Sequence, residues 1–584
     1  MTGRRVGRVL RRSSAAVAVG TVLSLVAANA PAVASVTAPS AGGEVVFQVT
    51  AGPDWIDPGL TYYTYGFVLS YAVNRPLYSY GPDESLSPLP DLAEGAPVVS
   101  ADGQTVTVRI KPGIRYSPPV SREATSYDVK YAIERAFSEH VPSEYVFSYF
   151  GDLVGAPSAP GAIVDIPGIA TPDAHTIVFR LRRPTAPTLV GALVLPVTVP
   201  VPEEYAQPFD AELPSTYDEH VAFTGPYMIR NDAGGNLVGL ADDIEVVRNP
   251  NWDPTTDYRP AYVDAIRFRW GDDLRQIAQE TLDGSHLLCC DASMPPGVEE
   301  ALSTRPTQVG SEPGHGTRWV ALNTTIKPLT NLNVRKALAA VMDRAALRDA
   351  RGGPVAGELA EHFIAAGVHG FEESGGLAGF GNDYLQAPEG NPSLAREYLL
   401  RAREEGLPIS ADGKYKGPET LLIVGQDGDP GRAVSRLVAR QVKKLGFKVD
   451  LRLVPPDEMY QRWCGVPAAK VAICPSVGWF MDFPDPQSLL EPTFSGGAIR
   501  PTHNVNWSLL DVPRINAAIE AAAILPPGSD RYRAWAEVNR MIVEQAPGIP
   551  YLWDTSYAFS SADVAGVMNP YYSTWDLSFT SIRS

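Results

Sequence analysis

Histidine and cysteine are scarce in this chain, with eight and four among 584 residues. The histidines are scattered without the spacing that metal ligands keep, and no His-Glu-x-x-His occurs. Also missing are a Gly-x-Ser-x-Gly elbow, a Ser-x-x-Lys pair, a Gly-x-x-x-x-Gly-Lys loop and a Gly-x-Gly-x-x-Gly turn after a strand. Sequence-encoded signals for zinc hydrolysis, acyl-enzyme chemistry, phosphate cradling and dinucleotide binding are therefore absent, and no cofactor or metal is expected. A triad assembled from distant residues stays open, because geometry and not spacing defines it. Past the first 34 residues, no run approaches the ~20 consecutive apolar residues of a membrane-spanning helix. Positive charge is outnumbered too: 49 Lys and Arg face 66 Asp and Glu, for a net charge of −17. Such a surface repels nucleic acid and anionic membrane, so neither is expected as a partner. No internal repeat, low-complexity tract or long polar linker breaks the chain.

What is present begins with a three-part start. Arg4, Arg5, Arg8, Arg11 and Arg12 stand together without an acidic neighbour, residues 15–28 are small and apolar, and Ala32-Val33-Ala34 fits a cleavage site. The pattern predicts a signal peptide over residues 1–34 and an extracytoplasmic mature chain. The apolar run is too short to span a membrane comfortably, and the arginine pairs permit a twin-arginine route. Removing those five arginines takes the net charge from −17 to −22. Cys464 and Cys474, with Gly465 and Pro467 between them, suit a short disulfide loop in an oxidising compartment. The vicinal Cys289-Cys290 leaves three options: a two-residue ring, free thiols, or partners for the other two.

At this length two or more domains are expected. Val106, Val108 and Ile110 alternate with polar residues, as do Ile177, Phe179 and Leu181, and Ile266, Phe268 and Trp270; each set predicts a half-buried strand. Ser126 stands where a cap belongs, before Val129, Ile133, Ala136 and Phe137 on one helical face, and Asn333 stands likewise before Val334, Leu338 and Val341. Residues 421–424, a helix between Pro430 and Gly446, and alternating Phe447, Val449, Leu451 and Leu453 form a strand–helix–strand unit. That unit implies parallel pairing and a mixed α/β architecture.

Aromatic residues crowd two loops. Tyr62, Tyr63, Tyr65 and Phe67 follow Asp57-Pro58-Gly59, and Trp479, Phe480 and Phe483 stand with Asp482 and Asp485 around two prolines. Flat apolar surface with a few charges is what an orienting small-molecule site needs. Core packing and turn chemistry would use the same residues.

Several motifs follow one another in a fixed order. They are Asp57-Pro58; Leu89-Pro90-Asp91-Leu92-Ala93; Thr125-Ser126-Tyr127-Asp128-Val129 with Ala132-Ile133-Glu134-Arg135; and Phe223-Thr224-Gly225-Pro226-Tyr227. Arg248-Asn249-Pro250-Asn251-Trp252, Leu322-Asn323-Thr324, Asn333-Val334-Arg335-Lys336-Ala337-Leu338 and Met342-Asp343-Arg344 come next. Gly478-Trp479-Phe480-Met481-Asp482-Phe483-Pro484-Asp485-Pro486 and Ala546-Pro547-Gly548-Ile549-Pro550-Tyr551 close the series. Together they resemble the extracellular solute-binding proteins of family 5, the dipeptide and oligopeptide group that serves ABC importers.

The resemblance implies an α/β, two-lobed periplasmic-binding-protein-like fold (type II, cluster C) with an extra subdomain inserted in the first lobe. The implied boundaries are 44–80, 222–318 and 552–584 for lobe I, 81–221 for the inserted subdomain, and 319–551 for lobe II. A ligand would lie between the lobes, enclosed by hinge closure. By the same resemblance Asp482 would hold a peptide's α-ammonium group, with Trp479, Phe480, Phe483, Tyr62, Tyr63, Tyr65 and Asn504 as further ligand-site candidates. The implied partners are a peptide-like solute and ABC permease subunits, with the protein itself a monomer and not an enzyme. The lipoprotein cysteine usual in Gram-positive relatives is missing, since no cysteine precedes Cys289. An oligosaccharide, opine or metal chelate as ligand, or a secreted hydrolase built on the scaffold, remain the alternatives.

Overall fold

The computed structural model describes residues 40–583, apart from 84–85, 144, 242, 272 and 291–293. The signal peptide expected over 1–34 lies outside them. Alternating apolar residues assemble most strands into one mixed sheet. Its main path comprises β1 (Glu44–Val49), β2 (Tyr227–Ile229), β3 (Asp243–Arg248), β4 (Ala265–Trp270), β5 (Leu287–Cys289), β6 (Val309–Leu322), β7 (Thr420–Gln426), β8 (Lys448–Val454), β9 (Ile473–Phe480) and β10 (Gly548–Ser560). Their order across the sheet is β8-β7-β9-β6-β10-β5-β1-β4-β3-β2.

The sheet holds two parallel groups. β1 is parallel to both β4 and β5. At the far end β7 is parallel to β8 and β9. Between the groups run the long strands β6 and β10, antiparallel to each other. β10 reaches β5 through Leu288↔Ser560 and Cys289↔Phe559, and β6 reaches β9 from Gly316↔Phe480 onward. The two strands pair in two blocks, Val309 to Pro313 and Thr317 to Ala321, with Gly314-His315-Gly316 unpaired between them. Both glycines there answer a close approach: a Cβ on Gly314 would stand 2.9 Å from the Asp554 carbonyl oxygen, and one on Gly316 would collide with the Phe480 ring.

Helices cover the sheet, among them α1 (Thr64–Val73), α2 (Ser126–Ala136), α3 (Leu332–Val341), α4 (Gly431–Lys444) and α5 (Pro486–Phe494). The expected β7–α4–β8 unit is present, with Val434, Val438 and Val442 of α4 fully buried. Two helix starts differ from expectation. Thr125, not Ser126, caps α2: the Asp128 carboxylate accepts from the Thr125 amide at 2.8 Å, closing a capping box. The Ser126 hydroxyl donates instead to the Asp173 carbonyl at 2.6 Å. Asn331, not Asn333, caps α3 by accepting from the Val334 amide at 3.1 Å, while Asn333 donates to Glu405 at 2.8 Å.

A separate antiparallel sheet orders Val98–Val99, Thr105–Arg109, Thr176–Arg180 and Ile169–Asp173 side by side. It contains the two other alternating segments, with Val106, Val108, Ile177 and Phe179 turned inward. The four cysteines form two disulfides, Cys464–Cys474 and the vicinal Cys289–Cys290. Among the described residues no helix is long and apolar enough to cross a membrane.

Candidate functional site

In open α/β sheets ligands bind beyond the carboxyl ends of parallel strands. Here the loop after β1 carries Tyr62 and Tyr63, with Tyr65 in the first turn of α1, and the loop after β9 carries Asp482 and Phe483. The fold brings these two loops together.

Three carboxylates shape the first loop. Asp54 accepts from the amides of Tyr62 (2.5 Å) and Tyr63 (3.0 Å) and from the Thr61 hydroxyl (3.1 Å). Asp57 takes both Nη groups of buried Arg135 on α2, each at 2.8 Å, so the Asp57-Pro58 motif is a structural anchor. Asp218 accepts from the amides of Ile56 (2.5 Å) and Asp57 (2.8 Å). Burial pushes the Asp54 and Asp218 carboxyls up to about 6, against the pull of these hydrogen bonds.

On β9 neighbouring side chains point to opposite faces. Trp479 is buried, its indole N–H donates to the Ser488 carbonyl at 2.8 Å, and its ring lies 5.8 Å from Tyr62 and 6.2 Å from Trp507. Phe480 faces the other way, 5.3 Å below the Arg318 guanidinium. Past the strand end, Asp482 is only 7% exposed. The Tyr149 hydroxyl donates to its carboxylate, and the Tyr571 hydroxyl donates to its backbone carbonyl at 2.7 Å. Burial, and then the Asp482 charge, hold the Tyr149 phenol far above its ordinary range. Phe483 packs edge-on against Tyr149 at 5.0 Å.

The remaining candidates occupy different positions. Tyr63 donates to Asp457, which follows β8, at 3.3 Å, and packs on Tyr65 at 5.7 Å. Asn504 is buried in a loop of its own: it accepts from the Arg500 amide at 3.1 Å and donates to the Asn506 carbonyl at 2.9 Å. Asp485 caps α5 through the Gln487 amide (3.0 Å) and pairs with buried Arg531 at 2.7 Å. Asp485 therefore does the turn chemistry of Asp-Phe-Pro-Asp-Pro.

Sequence reading missed Tyr145, which lies 5.2 Å from Tyr62, and Tyr149, Trp507 and Tyr571. The aromatic run Tyr145-Val146-Phe147-Ser148-Tyr149-Phe150 was the one available signal. Beside the strand break lies a cavity of about 260 Å³ lined by Glu312, His315, Gly316, Trp553 and Asp554, among others. Burial lowers the His315 imidazole to about 4, so it is neutral near pH 7; one ring nitrogen meets the Pro570 carbonyl, and Nδ1 has no partner among the described residues. Among the described residues no group of three or more His, Cys, Asp or Glu side chains is placed to hold a metal ion.

Comparison with known proteins bears on this arrangement. Residues 87–500 match the family model described as bacterial extracellular solute-binding proteins, family 5 Middle. The chain is 24% identical over 504 residues to a dipeptide-binding protein of Pseudomonas aeruginosa, covering 82% of this chain and 83% of that one. It is 22% identical over 484 residues to the oligopeptide-binding protein OppA of Bacillus subtilis, covering 81% of each. Among solved structures, a clavulanic acid biosynthesis oligopeptide binding protein 2 superposes with a TM-score of 0.79 at 25% identity, over 94% of this chain and 97% of that one. The Helicobacter pylori periplasmic binding protein DppA, in complex with the peptide STSA, superposes with a TM-score of 0.74 at 18% identity, over 93% and 99%.

Proposed function

Because the chain belongs to the bacterial extracellular solute-binding proteins of family 5, we propose that it is the receptor of an ABC importer and closes two lobes around a peptide-like solute. Lobe I comprises 44–80, 222–318 and 552–584, lobe II comprises 319–551, and residues 81–221 form a subdomain of lobe I. The mature protein is exported, acts as a monomer, and delivers its solute unchanged to permease subunits. The relatives named for dipeptides and oligopeptides, and the one solved with a bound peptide, support this reading.

The observation that carries it is Asp482, a carboxylate enclosed by aromatic side chains beyond the carboxyl end of β9 and met by a hydroxyl from the opposite lobe. A peptide's α-ammonium offers it a charge-assisted hydrogen bond. Tyr62 from one lobe and Trp479 from the other wall the same space. Closure is a rotation taken up where β6 and β10 lose their register.

A thermal-shift screen of residues 35–584 tests the reading, using di- to octapeptides, their N-acetylated forms, sugars and metal chelates. Ligand at about 100 times its Kd stabilises by about 2.7 kcal/mol, a visible rise in midpoint. Free-amine peptides are expected to stabilise and acetylated ones not to. Silence from every peptide, with a response to another solute, would replace the peptide with that solute; products by mass spectrometry would make the protein an enzyme.

A further inference from the structure

The short helix Ala186–Ala192 lies within residues 81–221, yet two of its residues are committed to the segment that follows β9. Thr188 is buried, and its hydroxyl donates to the side-chain carbonyl of Gln487 on α5 at 2.8 Å. That carbonyl is the hydroxyl's one partner among the described residues, although a helical threonine can bond back to the preceding turn instead. Gly191, nearly one turn further along, faces Phe483. A Cβ there would stand 2.7 Å from the ring, so the glycine lets the two segments approach this closely.

Gln487 is held in place independently of Thr188. Its backbone amide donates to the Asp485 carboxylate at 3.0 Å, and its side-chain nitrogen donates to Glu491 at 2.5 Å. Its carbonyl oxygen also accepts from Nη2 of buried Arg531 at 2.6 Å. All three partners lie within 319–551, so the amide keeps its orientation when Thr188 departs. The next residue joins the same helix to the wall already described. The Ser488 carbonyl accepts from the Trp479 indole at 2.8 Å, and the Ser488 hydroxyl donates to the Phe483 carbonyl at 2.8 Å. One turn of α5 thus carries a contact to residues 81–221 on Gln487 and the support of two site aromatics on Ser488.

We propose that Thr188, Gly191 and Gln487 form a latch that holds the two lobes closed without touching the solute, and so set the affinity for every solute alike. The proposal rests on the two-lobed receptor reading above and extends it. Where the empty protein stands mainly open, a solute that binds the closed form is held in proportion to the closed fraction. A contact made only on closure therefore tightens all solutes by one common factor. A hydrogen bond between uncharged groups moves that factor about two- to tenfold. Thr188 and Gln487 are positioning residues in this sense, whereas Asp482 tells one solute from another.

The test measures trialanine, Ala-Phe-Ala and pentaalanine by calorimetry on the mature protein and on Thr188→Val, Thr188→Ser and Gly191→Ala. Thr188 is the side to change, because Gln487 also holds Arg531 and Glu491. Thr188→Val keeps the shape and loses the hydrogen bond, so it should weaken all three peptides by the same factor, about two- to tenfold. Thr188→Ser keeps the hydroxyl and should bind like wild type. Gly191→Ala sets a methyl against the Phe483 ring and should weaken all three peptides at least as much as Thr188→Val does. Unfolding midpoints confirm that each variant folds. Unchanged affinity in Thr188→Val, factors that differ from peptide to peptide, or an equal loss in Thr188→Ser would overturn the latch and leave the receptor reading intact. If no peptide binds at all, a Thr188→Cys, Gln487→Cys double variant decides. A crosslink that forms in the empty protein under mild oxidation, read by mass spectrometry as the loss of two hydrogens, sustains the latch, and thiols that stay free overturn it.

Discussion

Asp482 and Asp485 stand three positions apart, yet their surroundings assign them different work. Asp485 holds the start of α5 and the buried Arg531 guanidinium, so Asp485→Ala leaves a buried charge unpaired and should cost about 3 kcal/mol or more in chemical denaturation. Asp482→Asn keeps an acceptor for Tyr149 and should change stability by under about 1 kcal/mol, while weakening free-amine peptides by about 2–5 kcal/mol. Asp54 acts at one remove, through the tyrosine loop. Asn in its place presents an amide N–H₂ to donors that need oxygen, so Asp54→Asn should lose about 1–3 kcal/mol of stability and weaken binding as Tyr62 and Tyr63 shift. The cluster around Asp482 was legible because aromatics and carboxylates crowd one short segment. Asn504 stood out less clearly, and its two amide ends serve its own loop. Tyr149 was legible only through the aromatic run around it, because the residues it meets, Asp482 and Phe483, come from a remote part of the chain.

Elements were read more fully than contacts. The strand–helix–strand unit and the three alternating segments follow from local periodicity, whereas the caps of α2 and α3 turned on which of several adjacent polar side chains reached the first free amides. The register break in β6 left no periodic trace, since it depends on where β9 and β10 approach. Gly316→Ala should cost about 1–3 kcal/mol, because the new methyl meets the Phe480 ring. On α5, Glu491 accepts from Gln487 at 2.5 Å, and Gln487 in turn accepts from Thr188 at 2.8 Å. Burial raises the Glu491 carboxyl from 4.5 to about 7; Gln487, Arg183 and Arg531 oppose the rise and Asp152 adds to it. The folded state thus binds this proton more tightly than the unfolded chain does. The resulting stability is fully present below pH 4.5 and is lost as pH rises to about 7. Glu491→Gln should therefore match wild type near pH 4.5 and exceed it in urea midpoint at pH 8.

At the scale of the whole molecule, both halves share a single sheet, joined by two long strands whose register breaks between Pro313 and Thr317 and again between Arg318 and Trp319. A rotation there would part Tyr62 from Trp479 and Tyr63 from Asp457 without disturbing either parallel group. Small-angle scattering should then show a larger radius of gyration without ligand than with a bound peptide, and equal radii would contradict closure around the solute. The disulfides bear on how such motion can be watched. All four cysteines are tied up, Cys464 to Cys474 at the start of β9 and Cys289 to Cys290 at the end of β5. An engineered cysteine would therefore be the sole thiol open to a maleimide dye, and a pair of them, one per lobe, would turn opening and closing into a distance-dependent fluorescence signal without first stripping any native residue.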